Sequence, residues 1–188
     1  MVKNFYVKNM VCDRCIKVLR DELRTKNIEL LEIELGRLKL DIDETEEKQV
    51  LVAMLEKNGF SLIDSSEKQL VEQVKIELIK LLKELPLDLQ QKLSTYLEEK
   101  LHREYSKISK VFSVNEHITI EKYFIKLKIE KVKELMQGQA HNFTEISQLL
   151  DYSNIQHLSR QFKTATGMSL SKYRADQKYF RTALDRIV

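Results

Sequence analysis

The 188-residue sequence predicts an α+β chain, with a small sheet-and-helix region in its first 64 residues, a connecting helix, and an all-α remainder. Three observations carry that prediction. Before residue 64 the apolar residues change period several times, as they do where short strands and helices alternate. A helical period then runs unbroken from 65 to 85, and beyond residue 88 the sequence repeats itself at an offset of 50.

Charge divides along the same line. Residues 1–64 hold 11 of the 32 Lys+Arg and 13 of the 29 Asp+Glu, so the first region is net −2 and the rest net +5. The basic part is the one open to an anionic partner. The 43% apolar content supports packed cores, and no run of about 18 apolar residues predicts a membrane span. The opening "MVKNFYVKNM" lacks the apolar centre of a secretory signal, so the expected location is the cytoplasm.

"NFYVKNM" (4–10) reads as the first strand, since Phe, Tyr and Val suit a pleated, half-buried surface. "CDRCIKVLRDELRTK" (12–26) then sets Ile16, Leu19 and Leu23 on one helical face. "IELLEIEL" (28–35) and "LKLDID" (38–43) follow as a hairpin about Gly36 and Arg37. In its second arm Leu38, Leu40 and Ile42 alternate with Lys39, Asp41 and Asp43. "ETEEKQVLVAMLEKNGF" (44–60) carries Glu in its first turn, Val50, Leu51, Met54 and Leu55 at helical spacing, and Gly59 as its stop. "FSLI" (60–63) closes the region. The resulting βαββαβ order is that of a ferredoxin-like domain, expected over 1–64.

Residues 65–87 read as the connecting helix, capped by Asp64 or Ser65 and stopped by Pro86. Val71, Val74, Leu78, Leu81 and Leu85 are spaced 3, 4, 3, 4, a seam that predicts pairing with another helix, either in this chain or in a homodimer.

The repeat organises residues 88–188. "KISKVF" (107–112) recurs as "HLSRQF" (157–162), and "TIEKY" (119–123) as "SLSKY" (169–173). Each unit reads as a helix, a turn and a second helix, preceded by "LSTYLEEKL" in the first and "FTEISQLLDY" in the second. "TIEKYFIKLKIEKVKELMQG" joins them with a long apolar stripe, Ile120, Phe124, Leu127, Ile129, Val132, Leu135 and Met136, ending at Gly138. About 18 residues span about 27 Å, against about 34 Å between successive major-groove faces of a duplex. A spacer of that length suits two recognition helices on one face of double-stranded DNA.

From about 88 to 174 the chain resembles the DNA-binding domain of AraC-family transcription regulators. The residues that carry the likeness are in "YSNIQHLSRQFKTATGMSLSKYR": Ser153 as N-cap, Leu158 and Phe162 as anchors, then Ser159, Arg160, Gly167, Tyr173 and Arg174. Leu170 stands where the family usually has Pro. In the first unit Glu104 replaces a Ser cap and His117 replaces the turn Gly, so His117 is expected to take an unfavourable backbone region or reshape the turn. The resemblance implies base contacts from Asn154, Gln156, His157, Ser159 and Arg160 in the second unit, and from Ser106, Lys107, Ser109 and Lys110 in the first. Arg, Asn and Gln are suited to bidentate readout, whereas Lys also serves phosphate.

"MVCDRC" (10–15) holds both cysteines. In a reducing compartment a close pair points to metal or redox chemistry rather than to a structural disulfide. A helix N-terminus and Arg14 favour thiolate, so both thiols are expected to lose protons easily. Soft sulfur ligation points to Cu(I); Zn(II) needs four ligands and is less well served. The first 64 residues resemble heavy-metal-associated domains, whose signature Met-x-Cys-x-x-Cys follows the first strand. Met10, Cys12, Cys15 and Phe60 match, and Asn9 stands where Gly is usual. The resemblance implies Cys12 and Cys15 as ligands and a metal donor protein as partner.

Joined, the halves predict a metal-responsive DNA-binding regulator. Two alternatives stay open: a soft-metal trafficking or buffering protein whose helical half binds protein, and an AraC-type regulator with a vestigial metal site. A thioredoxin-like redox pair is disfavoured, because that fold commonly has Trp before the first Cys and this chain has none. No Ser-His-Asp set, phosphate loop or carboxylate pair predicts an enzyme.

Overall fold

A computed structural model describes residues 1–43, 46–176 and 181–187. The chain forms two compact units, Met1–Ile76 and Glu77–Val188. The first contains β1 (Val2–Lys8), α1 (Asp13–Thr25), β2 (Glu29–Glu34), β3 (Arg37–Asp41), α2 (Glu46–Lys57) and β4 (Ser61–Leu62). Helix α3 (Ser66–Lys83) crosses the division between the units. The α+β class is as expected.

The strands form one antiparallel sheet in the order β2-β3-β1-β4. Alternation in β3 does what its period predicts. Leu38 and Leu40 are wholly buried with Leu19 and Leu23 of α1 and Leu51 and Leu55 of α2, while Lys39 turns outward to Glu32 at 2.6 Å. Each such leucine contributes about 1.5–3 kcal/mol by leaving water. The hairpin turn is Leu35 and Gly36; Arg37 already belongs to β3, and Gly36 supplies the turn's φ of +71°.

Boundaries differ from the expected ones for local reasons. β1 starts at Val2 and stops before Asn9, whose φ of +70° cannot continue a strand. The last strand is only two residues long. Helix α2 is described from Glu46; Glu44 and Thr45, expected to begin it, lie outside the described residues. On α3, Val71, Val74 and Leu78 are buried within a single copy. That part of the seam is therefore covered within the chain, the first of its two expected alternatives.

The second unit holds α4 (Leu93–Leu101), α5 (Tyr105–Glu116), α6 (Ile120–Gln137), α7 (Phe143–Leu149), α8 (Ile155–Thr166) and α9 (Leu170–Ala175), then a 3-10 turn at Leu184–Arg186. Its internal repeat is structural as well as sequential. α5 and α8 each have 12 residues, and each ends in a left-handed cap, His117 at φ +57° and Gly167 at φ +75°. His117 thus accepts the strained region rather than reshaping the turn.

Packing follows the same offset. Phe112 meets Tyr123 edge-on at 5.5 Å, and Phe162 meets Tyr173 edge-on at 5.3 Å, with all four rings buried. Ile108 and Leu158 are wholly buried at equivalent positions. Leu170, where Pro is usual, is itself buried behind the Ser169 cap. Joining the two helix-turn-helix repeats, α6 is an 18-residue helix, as expected, and Thr119 caps it. Gly138 does not provide its stop through a left-handed turn: it is right-handed at φ −66°, and Gln139 takes φ +53° instead. No helix among the described residues is long and apolar enough to cross a membrane.

Candidate nucleic-acid interface and thiol pair

Two sets of polar side chains lie on the second helices of the repeat. On α5, Ser106, Lys107 and Lys110 are exposed and Ser109 is half-buried; on α8, Gln156 and Arg160 are exposed and Ser159 is half-buried. Ile108 and Phe112, or Leu158 and Phe162, bury the opposite faces, so core packing fixes which way the polar faces turn. Neither polar face is buried against the other helix. Sequence reasoning missed Lys163 and Thr164, which extend the exposed α8 face one turn beyond Arg160. Their i+3 and i+4 spacing from Arg160 was readable.

Two residues expected to read bases have structural duties. The N-cap of α8 is Asn154, not Ser153: Asn154 Oδ1 accepts the His157 amide at 2.8 Å. Asn is as good a cap as Ser, and this oxygen is engaged there. The His157 ring lies 5.5 Å from the Tyr152 ring, edge-on, with Nδ1 3.3 Å from Ser153 Oγ. It braces the turn before α8. The Tyr152 hydroxyl donates to Gln161 Oε1 at 2.6 Å, and Lys128 Nζ sits 4.3 Å from the Tyr152 ring centre. Burial pulls the Lys128 ammonium down to about 8, against the opposing effect of Asp151.

Helix α7 is held by a capping box, with the Asn142 side chain accepting from the Glu145 amide at 2.9 Å and Glu145 accepting from the Asn142 amide at 2.8 Å. The signature "NFTE" announces it in the sequence. Arg174 closes the second unit by donating to the His141 carbonyl at 2.8 Å and stacking 4.0 Å over Phe143. It is a clamp between α9 and the start of α7.

In the first unit the two thiols stand at the start of α1. Cys12 is the N-cap residue, with φ −146°, and Cys15 lies in the first turn; their sulfurs are 2.9 Å apart. Met10 is wholly buried in the core of this unit. Burial pushes the Cys15 thiol up, and the Cys12 thiol beside it adds to the effect. This corrects the expectation of two easily ionised thiols: for Cys15, desolvation outweighs the helix N-terminus. Among the described residues no three His, Cys, Asp or Glu side chains converge.

Residues 97–176 match a family model described as a helix-turn-helix domain. The match is of the AraC type and covers α5, α6, α7, α8 and α9, together with the second half of α4. It supports a DNA-binding role of the transcription-regulator kind for this part of the chain. No curated protein matches the chain.

Proposed function

We propose that the chain is a cytoplasmic, sequence-specific transcription regulator of the AraC type, whose first unit holds a soft metal ion between Cys12 and Cys15. The observation that carries the DNA half is the structural repeat: two helix-turn-helix units, each with an exposed polar face on its second helix, on a common 18-residue spacer. Double-stranded DNA is the partner that such a pair fits.

Selection of bound duplexes from a random pool at about 0.15 M salt tests this reading. Enrichment of two short elements about one helical turn apart is expected; a pool that stays random at that salt overturns it. Once the duplex is known, Arg160→Ala is expected to weaken binding by about 1–3 kcal/mol and to relax preference at one base position, measured by anisotropy on single-base variants. A loss uniform over all variants would assign Arg160 to phosphate.

The metal half rests on the converging sulfurs and on the element order βαββαβ with sheet order β2-β3-β1-β4, which supports the ferredoxin-like, heavy-metal-associated reading. Cu(I) is the ion that a two-sulfur site favours. Loss of a supporting residue beyond the ligands typically costs a metal site 10- to 100-fold in affinity, so loss of a ligand sets a larger expectation. Cys12→Ser and Cys15→Ser should each lower Cu(I) affinity by more than about 100-fold in competition with a chromophoric chelator. Wild-type affinity in both variants would mean a regulator with a vestigial site.

A further inference from the structure

Helix α3 is fastened to the thiol loop by a contact between residues 63 positions apart. The backbone N–H of Asn9 donates to Glu72 Oε1 at 3.1 Å, and Glu72 is only 5% exposed. Asn9 is also the pivot of the loop. It is left-handed at φ +70°, its side-chain amide donates to the Gly59 carbonyl at 3.3 Å, and its own carbonyl lies 4.0 Å from the Cys15 sulfur. One turn further along α3, Ile76 packs so closely on the β2–β3 turn that a Cβ on Gly36 would fall 2.1 Å from its Cδ1. Ile76 is the last residue of the first unit. Helix α3 then continues into the second, where Glu77 Oε2 accepts the Tyr96 hydroxyl at 3.1 Å and so ties α3 to α4.

Uptake of an ion between the thiols has to part the two sulfurs. Two metal–sulfur bonds of about 2.3 Å at a tetrahedral or wider angle put the sulfurs about 3.8 Å apart or more. They now stand at 2.9 Å. One sulfur has to move, and the Cys15 sulfur lies 4.0 Å from the carbonyl of Asn9, the pivot of the segment. A backbone amide held by a carboxylate that is only 5% exposed transmits such a shift better than a solvated contact, because water competes less for the carboxylate.

We infer that the Asn9–Glu72 hydrogen bond is the relay through which occupancy of the Cys12–Cys15 pair reaches α3 and, along that helix, the DNA-binding unit. The inference rests on the proposed metal site and adds its means of regulation. Glu72 is a positioning residue, touching the loop and not the ion.

Hydrogen exchange of the full chain with and without one equivalent of Cu(I), under anaerobic reducing conditions, tests it. In the wild type, protection is expected to change by roughly tenfold both in residues 9–16 and in residues 77–83. In Glu72→Ala, Cu(I) should still bind with the same stoichiometry, but the change at 77–83 should fall below about twofold. Glu72→Gln keeps an uncharged acceptor and should give an intermediate response. A wild type that binds Cu(I) and responds only at 9–16 overturns the relay whether or not the variants fold, and so does an undiminished response in Glu72→Ala. A wild type that binds no Cu(I) removes the metal reading and the relay with it.

Discussion

Phe162→Ala should destabilise the second unit by about 3–5 kcal/mol, because it empties the centre of the second helix-turn-helix. The ring is wholly buried, sits edge-on to Tyr173 at 5.3 Å, and shares its helix with the buried Leu158. Truncation leaves a cavity that α9, six residues long and held at its end by Arg174, is poorly able to fill. With urea dependences of about 1–3 kcal/mol per molar, the midpoint of the helical transition should fall by roughly 2 M, read by far-UV circular dichroism. Tyrosine fluorescence supplies a second probe, since the chain has seven Tyr and no Trp. Val114 is the control: at 64% exposed on α5, the equivalent helix of the first repeat, its truncation should cost less than about 0.5 kcal/mol. Because the repeat places Phe112 against Tyr123 in the same way, Phe112→Ala should behave as Phe162→Ala does. A midpoint unchanged in either Phe variant would show that the ring pairs are not the centres of their units.

The parts of this architecture that the sequence announces are those set by period and by repeat. Leu38 and Leu40 alternate and are buried; Ile108, Phe112, Leu158 and Phe162 recur at the offset of 50 and anchor two like helices. At His117, standing where its counterpart is Gly167, the sequence offered a left-handed residue or a reshaped turn, and the structure takes the first. Competing local choices were less legible. Ser153 and Asn154 are both good caps, and only the packing of Leu158 decides that Asn154 is the one in register. A helix N-terminus lowers a thiol's pKa and burial raises it; the sequence shows the first effect, whereas the second depends on how deep Cys15 sits against the core of the first unit. Contacts across long separations left no trace at all. Nothing local to Glu72 announces the Asn9 amide 63 residues away.

Glu130 and Lys133 make the same point in energetic form. At i, i+3 on a helix they read as an ordinary surface pair, worth a few tenths of a kcal/mol. In the folded chain they are 5% and 9% exposed, with Lys133 Nζ 2.5 Å from Glu130 Oε1 and the Thr182 amide donating to Glu130 Oε2 at 2.8 Å. Lys133→Met keeps the apolar stem and removes the charge, which leaves the Glu130 carboxylate buried with only the Thr182 amide among these partners. The expected loss is about 3–5 kcal/mol, an order of magnitude beyond the surface estimate. Replacing both residues, Glu130→Leu with Lys133→Met, removes the stranded charge and should recover most of that loss, apart from about 1 kcal/mol for the Thr182 amide. A double-mutant cycle by urea denaturation separates the two accounts. A coupling above about 2 kcal/mol, little changed between 0.05 and 0.5 M salt, identifies a pair shielded from solvent ions. A coupling of a few tenths that vanishes at high salt would put the pair in water. In that case α6 would carry a solvated face where the docked 181–187 segment now covers it.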